Sequence, residues 1–306
     1  MEKMNKIKLQ TMLRQFFLED IGEQDITSSA IFPAHETGMG TFIAKEKGIV
    51  AGLEIITEAY CLLDPSIRVR LLKHDGQLVQ PGEKIAEVEG PVRDLLSGER
   101  VILNLLQRMG GIATRTRKSV EALSSGHTKI CDTRKTTPGL RMLDKYAVRC
   151  GGGSNHRYGL YDGIMIKDNH IAFCGTITEA VKRVKEHAGH MVKIEVETEN
   201  KEQVIEAVEA GADVIMFDNR SPREVAEFVN YVPKGIITEA SGGITDNQLV
   251  AYRDTGVDYI SLGYLTHSVK ALDISMLVEN QLLGGNADEN ARTTRAHQES
   301  SIARNI

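Results

Sequence analysis

The chain has no run approaching the roughly 20 apolar residues that a membrane-spanning helix needs. Its first ten residues carry charges where a signal peptide would carry a continuous apolar core. A soluble, cytoplasmic protein without a membrane partner is expected. Cysteine is scarce: Cys61, Cys131, Cys150 and Cys174 form no Cys-x-x-Cys pair and no regular spacing, so neither a zinc site nor a disulfide framework is indicated. Positive charge is not in excess either. The 37 Lys+Arg against 42 Asp+Glu leave a formal net charge of -5, which argues against a nucleic-acid scaffold, because phosphate backbones are bound mainly by surplus Lys and Arg. Tryptophan is absent and aromatics make up 5%, yet 41% hydrophobic and 26% charged residues are an ordinary globular balance that excludes disorder throughout. At roughly 100–200 residues per domain the length allows two domains, long enough to bury cores without staples.

The first part mixes helix and antiparallel strand. Ile7, Leu9, Leu13, Phe16 and Phe17 follow a helical period within Lys3 to Phe17, and an acidic turn region runs from Glu19 to Thr27. Alternation at Met39, Thr41 and Ile43, then Ile49-Val50, predicts strands, and Leu53 to Leu63 predicts a helix ended by Asp64-Pro65. Short strands follow at Ile67 to Leu72, Leu78-Val79 and Ile85 to Val88, separated by His74-Asp75-Gly76-Gln77 and Gln80-Pro81-Gly82-Glu83 turns. No lysine sits at a hairpin tip flanked by Met, so a swinging-arm carrier is not indicated. A long helix is expected from Val92 to about Leu123, broken or bent at Gly110-Gly111.

The second part repeats a unit. Strand-like runs occur at Lys129 to Cys131, Gly163 to Ile166, Val192 to Val196, Asp213 to Phe217, Gly235 to Thr238 and Val257 to Ser261. Amphipathic helices lie between them, such as the one opened by Ser221 as N-cap with Pro222 at its first position. Strand alternating with helix means a parallel sheet with crossovers. The residues leaving four of these strands, Lys167, Glu197, Asp218 and Glu239, are all ionisable and are spaced by 30, 21 and 21 residues. In a β/α barrel the C-terminal strand ends carry the chemistry.

Between Arg134 and His170 the chain turns basic: Arg134, Lys135, Arg141, Lys145, Arg149, His156, Arg157, Lys167 and His170 face only Asp144, Asp162 and Asp168. Guanidinium groups bind carboxylates and phosphates as forks and lysines act as point charges, so the ligand is expected to be a small polyanion. Gly151-Gly152-Gly153 and Thr136-Thr137-Pro138-Gly139 beside these charges support binding over a merely solvated face. Ala240-Ser241-Gly242-Gly243-Ile244-Thr245, followed one strand later by Ser261-Leu262-Gly263, suggests a phosphate cradle. Acids at Glu197 and Asp218 would repel such a ligand unless a hard cation intervenes, and magnesium suits one or two carboxylates plus phosphates.

At these residues the chain resembles the quinolinate phosphoribosyltransferases. The most specific parts are Asp132-Thr133-Arg134-Lys135-Thr136-Thr137-Pro138-Gly139, Gly151-Gly152-Gly153 with Asn155-His156-Arg157, and Lys167-Asp168-Asn169-His170. Ser97-Gly98-Glu99-Arg100 and Leu265-Thr266-His267-Ser268 extend the likeness to nearly all of the chain before Gly284. The resemblance implies an N-terminal α/β sandwich domain over residues 1–115, an open β/α barrel with parallel strands over 116–283, and leaves a polar tail, 284–306, outside it. It further implies a homodimer, or a higher oligomer, with shared active sites. The implied reaction joins quinolinate to phosphoribosyl pyrophosphate and releases pyrophosphate and carbon dioxide, giving nicotinate mononucleotide for NAD synthesis.

Matched motif to motif, Arg134, His156, Arg157 and Lys167 would hold the quinolinate carboxylates, with Thr133 in the same loop, and Arg100 would reach the neighbouring subunit's site. Lys135 and Lys167 would face the pyrophosphate, and Glu197 and Asp218 would bind magnesium or ribose hydroxyls; these four would be the catalytic set. Ser241, Gly242, Gly243 and Gly263 would cradle the 5-phosphate with His267 nearby. A Gly110-Gly111 pair where the family has a small serine before the second glycine would loosen the helix carrying Arg100. Alternatives are a sister phosphoribosyltransferase associated with molybdenum uptake, a transferase acting on nicotinate, and a non-catalytic protein that binds phosphoribosyl pyrophosphate.

Overall fold

Capping side chains start the helices where the chain needs them. In the computed structural model, which describes residues 3–279, Asn5 accepts the Lys8 amide and opens α1 (Lys6–Ile21). Asp25 accepts the Ser28 amide at 2.9 Å and opens α2 (Ile26–Ile31); each cap satisfies an N–H that the first turn leaves without a partner. The acidic stretch expected as a turn is therefore the end of one helix and the start of another.

Next come β1 (Thr37–Ala44), β2 (Gly48–Ile49), α3 (Glu54–Leu63), β3 (Arg68–Leu71), β4 (Leu78–Val79), β5 (Lys84–Pro91) and α4 (Val92–Leu123). β1 and β3 pair antiparallel with opposite edges of β5, while β2 and β4 form a separate ribbon. α3 covers this layer with Ile55, Ile56, Ala59 and Tyr60 fully buried, each large apolar side chain adding about 1.5–3 kcal/mol of burial.

The second half is β6 (Lys129–Cys131), α5 (Arg141–Cys150), β7 (Ile164–Ile166), α6 (Asp168–Cys174), α7 (Ile177–His187), β8 (Ile194–Thr198), α8 (Lys201–Ala210), β9 (Val214–Asp218), α9 (Pro222–Phe228), β10 (Ile237–Ser241), α10 (Leu249–Tyr252), β11 (Tyr259–Ser261) and α11 (Tyr264–His267). Its six strands are all parallel, in the order β6-β11-β10-β9-β8-β7. β6 and β7 are the free edges, so the barrel is open, with a single Cys131–Ser154 bridge beside the gap. Ser221 caps α9 as expected, with Pro222 in its first turn, and Glu224 completes a reciprocal cap with it. The fold is an α/β sandwich domain followed by an open parallel β/α barrel.

β12 (Ile274–Glu279) then returns to the first sheet and pairs antiparallel with β1, making its order β12-β1-β5-β3. Residues 274–279, expected with the barrel, thus lie in the N-terminal sheet, and the expected division at residue 115 falls inside α4. The 284–306 tail lies outside the described residues. α4 is a continuous helix of 32 residues, so Gly110-Gly111 does not break it. A Cβ on Gly111 would meet the Lys270 carbonyl oxygen at 2.1 Å, and one on Gly110 would meet Leu272 Cδ2 at 2.8 Å. The pair makes room for the segment entering β12; it is a packing feature, not a hinge. Among the described residues no helix is long and apolar enough to cross a membrane.

Candidate active site

The C-terminal strand ends open into a cavity of about 420 Å³. Thr133, Arg134 and Lys135 reach it from the loop after β6, His156 and Arg157 from the loop before β7, and Lys167 from the residue following β7. Glu197 and Asp218 enter from the ends of β8 and β9, and Ser241, Gly242 and Gly243 from β10 and its loop. Gly263 and His267 adjoin this group: a Cβ on Gly263 would lie 3.0 Å from Lys135 Cδ and 3.2 Å from His267 Cδ2. Arg100 stands apart, exposed on α4 and outside the cavity lining.

Asp132 organises the basic loops from below. It is fully buried and accepts from Lys145 Nζ, from Asn155 Nδ2 at 2.6 Å and from the His156 amide at 2.9 Å. Lys145 is buried with it and donates a second bond to the His156 carbonyl at 2.9 Å. Lys145 therefore holds the loop and does not line the cavity. Arg141 is also structural, donating to Thr136 Oγ1 and the Tyr158 carbonyl, both at 3.0 Å. Gly151 and Gly153, expected beside the ligand, pack against α4 instead: Cβ atoms there would meet Ala113 O at 2.5 Å and Thr116 Cγ2 at 2.8 Å.

The remaining cations are set for an anion. Arg157 Nη1 donates to the Gly163 carbonyl at 2.7 Å, whereas Arg134 Nε and Arg157 Nε are buried donors with no acceptor among the described residues. Burial, and then the charge of Arg134, lower the Arg157 pKa. Both side chains line the cavity, where guanidinium forks are complementary to carboxylate oxygens. Lys167 Nζ donates to Glu197 Oε2 at 2.7 Å, and its amide is accepted by His170 Nδ1 at 2.9 Å, which makes His170 a cap for α6.

Across the opening, Gly242 and Gly243 have φ of 90° and 64°, a region that only glycine enters without strain. A Cβ on Gly242 would lie 2.3 Å from Asn219 Oδ1. Among the described residues no hydrogen bond takes the Gly242 or Gly243 amides, leaving them as donors for a phosphate. Ser261 Oγ donates to Ser241 Oγ at 2.8 Å beside them. Glu197 and Asp218 supply hard oxygen donors: Glu197 Oε2 is engaged by Lys167 and Asp218 Oδ2 by Asn219 Nδ2, while neither Glu197 Oε1 nor Asp218 Oδ1 accepts a hydrogen bond among the described residues. This donor set fits magnesium, which takes one or two carboxylates and completes its shell with phosphate and water.

Glu239 differs from the other strand-end acids. It lies in mid-strand and is 4% exposed, and burial and then the Glu195 charge push its pKa up to about 8. Burial disfavours a charged His156, but the hydrogen bond to Glu195 and the charges of Glu239 and Glu195 outweigh it and raise its pKa. Met165, Met216, Asn219 and Ser261 also line the cavity and were not singled out in the sequence. Only Asn219 carried a signal, an Asp-Asn pair after a strand, and it adopts φ 53°.

Comparison with known proteins covers most of the described chain. Residues 25–110 match the profile of the quinolinate phosphoribosyl transferase N-terminal domain, and residues 112–277 that of its C-terminal domain. A probable nicotinate-nucleotide pyrophosphorylase [carboxylating] of Bacillus subtilis is 60% identical over 273 residues, covering 89% of this chain and 94% of the relative. The Synechocystis protein of the same name is 42% identical over 269 residues, covering 87% and 91%. The crystal structure of NadC from Streptococcus pyogenes superposes with a TM-score of 0.88 at 38% identity, covering 91% of this chain and 99% of that one. With both profiles matched in order, the chain belongs to the quinolinate phosphoribosyltransferase family.

Proposed function

We propose that this protein transfers the phosphoribosyl group from phosphoribosyl pyrophosphate to quinolinate with decarboxylation, giving nicotinate mononucleotide, pyrophosphate and carbon dioxide. The observation that carries the reading is one cavity lined by Arg134, Arg157 and Lys167 together with a positive-φ glycine cradle. A dicarboxylate suits the first and a ribose 5-phosphate the second. The names of the relatives describe the same chemistry.

Arg134, Arg157 and Lys167 hold the two carboxylates, and Ser241, Gly242 and Gly243 hold the 5-phosphate, aligning the pyridine nitrogen with the anomeric carbon. The nitrogen forms a bond to that carbon as the bond to the pyrophosphate oxygen breaks, its electron pair leaving with pyrophosphate. Lys135 and Lys167 balance the charge of the leaving group, and Glu197 and Asp218 face the cationic ribose. Fixed charge and alignment supply the rate, with no general base. Glu197 and Asp218 would hold magnesium, which would supply positive charge to offset that of the phosphate groups. The electron pair released as the adjacent carboxylate departs as carbon dioxide stays on that ring carbon, stabilised by the positive charge of the neighbouring quaternary nitrogen, and takes up a solvent proton.

We place the reaction in the cytoplasm and in a homodimer. Leu160, Tyr161 and Phe173, which flank Arg157 and Lys167 in sequence, are exposed, the kind of apolar surface a second subunit covers. Arg100 of one subunit would then complete the other's carboxylate site. The test incubates the purified protein with quinolinate, phosphoribosyl pyrophosphate and magnesium, following carbon dioxide and nicotinate mononucleotide, with nicotinate and with chelator as controls. Product from quinolinate alone, lost on chelation and restored by magnesium, is expected. A folded protein that binds phosphoribosyl pyrophosphate without forming product would refute the assignment.

A further inference from the structure

At the floor of the cavity, lined there by His156 and Glu239, lies a group that the reaction as derived leaves idle: these two side chains and, behind them, Glu195 on β8. Glu195 is 5% exposed and Glu239 4%. His156 Nε2 is 2.9 Å from Glu195 Oε2 and 3.7 Å from Glu239 Oε2. The other ring nitrogen is also engaged, with Nδ1 accepting the Arg157 amide N–H at 2.8 Å. A nitrogen that accepts carries no proton, so Nε2 bears the ring hydrogen and donates it to Glu195. A second proton, which the neighbouring acids favour, would sit on Nδ1 and break the Arg157 contact; the geometry is that of the neutral ring. The ring therefore has no free nitrogen to offer a substrate.

The backbone of His156 is held as tightly as its ring, its amide by Asp132 and its carbonyl by Lys145. The beneficiary is the next residue. Arg157 must keep its guanidinium near that of Arg134 although like charges repel, and its own anchor is one bond to Gly163. The carboxyls could also suggest a cation site, since the three ligand atoms lie within 4.8 Å of one another. His156, however, has no lone pair left for a cation, since Nδ1 accepts the Arg157 amide and Nε2 donates to Glu195.

We propose that Glu195 is a positioning residue of the dicarboxylate site: by holding the His156 ring through Nε2, it presents Nδ1 to the Arg157 amide and so aims the Arg157 guanidinium at a substrate carboxylate. The inference rests on the function proposed above. Glu195 lines no part of the substrate cavity, and its one hydrogen-bonded contact toward that site is the His156 ring.

The experiment measures initial rates with each substrate varied in turn, for wild type, Glu195→Ala, Glu195→Asp and Glu195→Gln. Loss of a buried charged hydrogen bond is expected to raise the quinolinate KM about tenfold or more in Glu195→Ala. The phosphoribosyl pyrophosphate KM is expected to stay within about twofold, because its cradle lies on β10. Glu195→Asp draws the carboxylate back by one methylene and is expected to behave like Glu195→Ala, which keeps the test alive should the alanine variant fail to fold. Glu195→Gln retains an acceptor for Nε2 and is expected to recover most of the quinolinate affinity. Equal rises in both KM values, or an unchanged quinolinate KM in Glu195→Asp, would overturn the positioning role. Absence of product from wild type would instead overturn the assigned reaction.

Discussion

Lys145→Met isolates what the buried ion pair under the site contributes. The Lys145 and Asp132 side chains are both 0% exposed, and methionine fills nearly the same volume without charge. Asp132 would keep two donors, Asn155 Nδ2 at 2.6 Å and the His156 amide at 2.9 Å, but lose its counter-charge, and the His156 carbonyl would lose its Lys145 donor. Breaking a buried pair by removing one partner costs about 3–5 kcal/mol, and at about 2–4 °C per kcal/mol for a chain of this size class the melting temperature should fall by roughly 6–20 °C. The loss must also depend on pH. Burial already raises the Asp132 pKa, with Lys145 the largest opposing influence, so the variant's Asp132 pKa rises further. A carboxyl with a raised folded pKa contributes stability below its unfolded pKa and loses it as pH climbs through the folded value. The deficit against wild type is therefore larger at pH 8 than at pH 5.5. Calorimetric or circular-dichroism melts across that range provide the assay. A deficit below about 2 °C at pH 8, far short of the cost of an unpaired buried charge, or a deficit independent of pH, would refute the reasoning.

Glu239→Gln is expected to flatten the pH dependence of stability: the wild-type acid, raised to about 8 by burial and Glu195, favours the fold less as pH rises from the ordinary carboxylate range to about 8, and glutamine cannot ionise. Melts of both proteins from pH 5 to 9 that remain parallel would contradict this. Gly111→Ala brings a Cβ within 2.1 Å of the Lys270 carbonyl; the overpacking cost of about 1–3 kcal/mol exceeds or meets the helix-propensity gain of about 1 kcal/mol. A lower melting temperature is expected, and a raised one would show that the β12 segment moves aside freely. Arg100→Ala and Lys167→Ala chains, each inactive alone, should regain activity when unfolded together and reassembled, because one mixed site then has both residues; failure of activity to return in verified mixed dimers would count against a shared site.

The parts of the molecule legible in the sequence are those set by local periodicity and capping. Ser221 and Pro222 announced α9, and the apolar runs of a parallel sheet announced the barrel strands. What stayed hidden depends on partners far along the chain. Gly110-Gly111 reads as a break until Lys270 and Leu272 are placed against it. Lys145 reads as one more ligand-seeking cation until Asp132 is found buried beneath it. In both cases composition reports the residue and only the packing reports its neighbour.

The acids of the barrel make the same distinction within one layer of chemistry. Parallel pairing aligns Met216 with Glu197 on one side and with Glu239 on the other, while Glu195 pairs with Val214 one step deeper. Glu195 and Glu197, two residues apart on one strand, point to the same face, a parity that the sequence alone supplies. Depth decides the rest. Glu197 meets Lys167 and lines the cavity, whereas Glu195 meets the His156 ring and does not. In the proposed reaction, then, one strand serves both the substrate and the loop that carries Arg157, and two residues of rise separate the Lys167 contact of Glu197 from the His156 contact of Glu195.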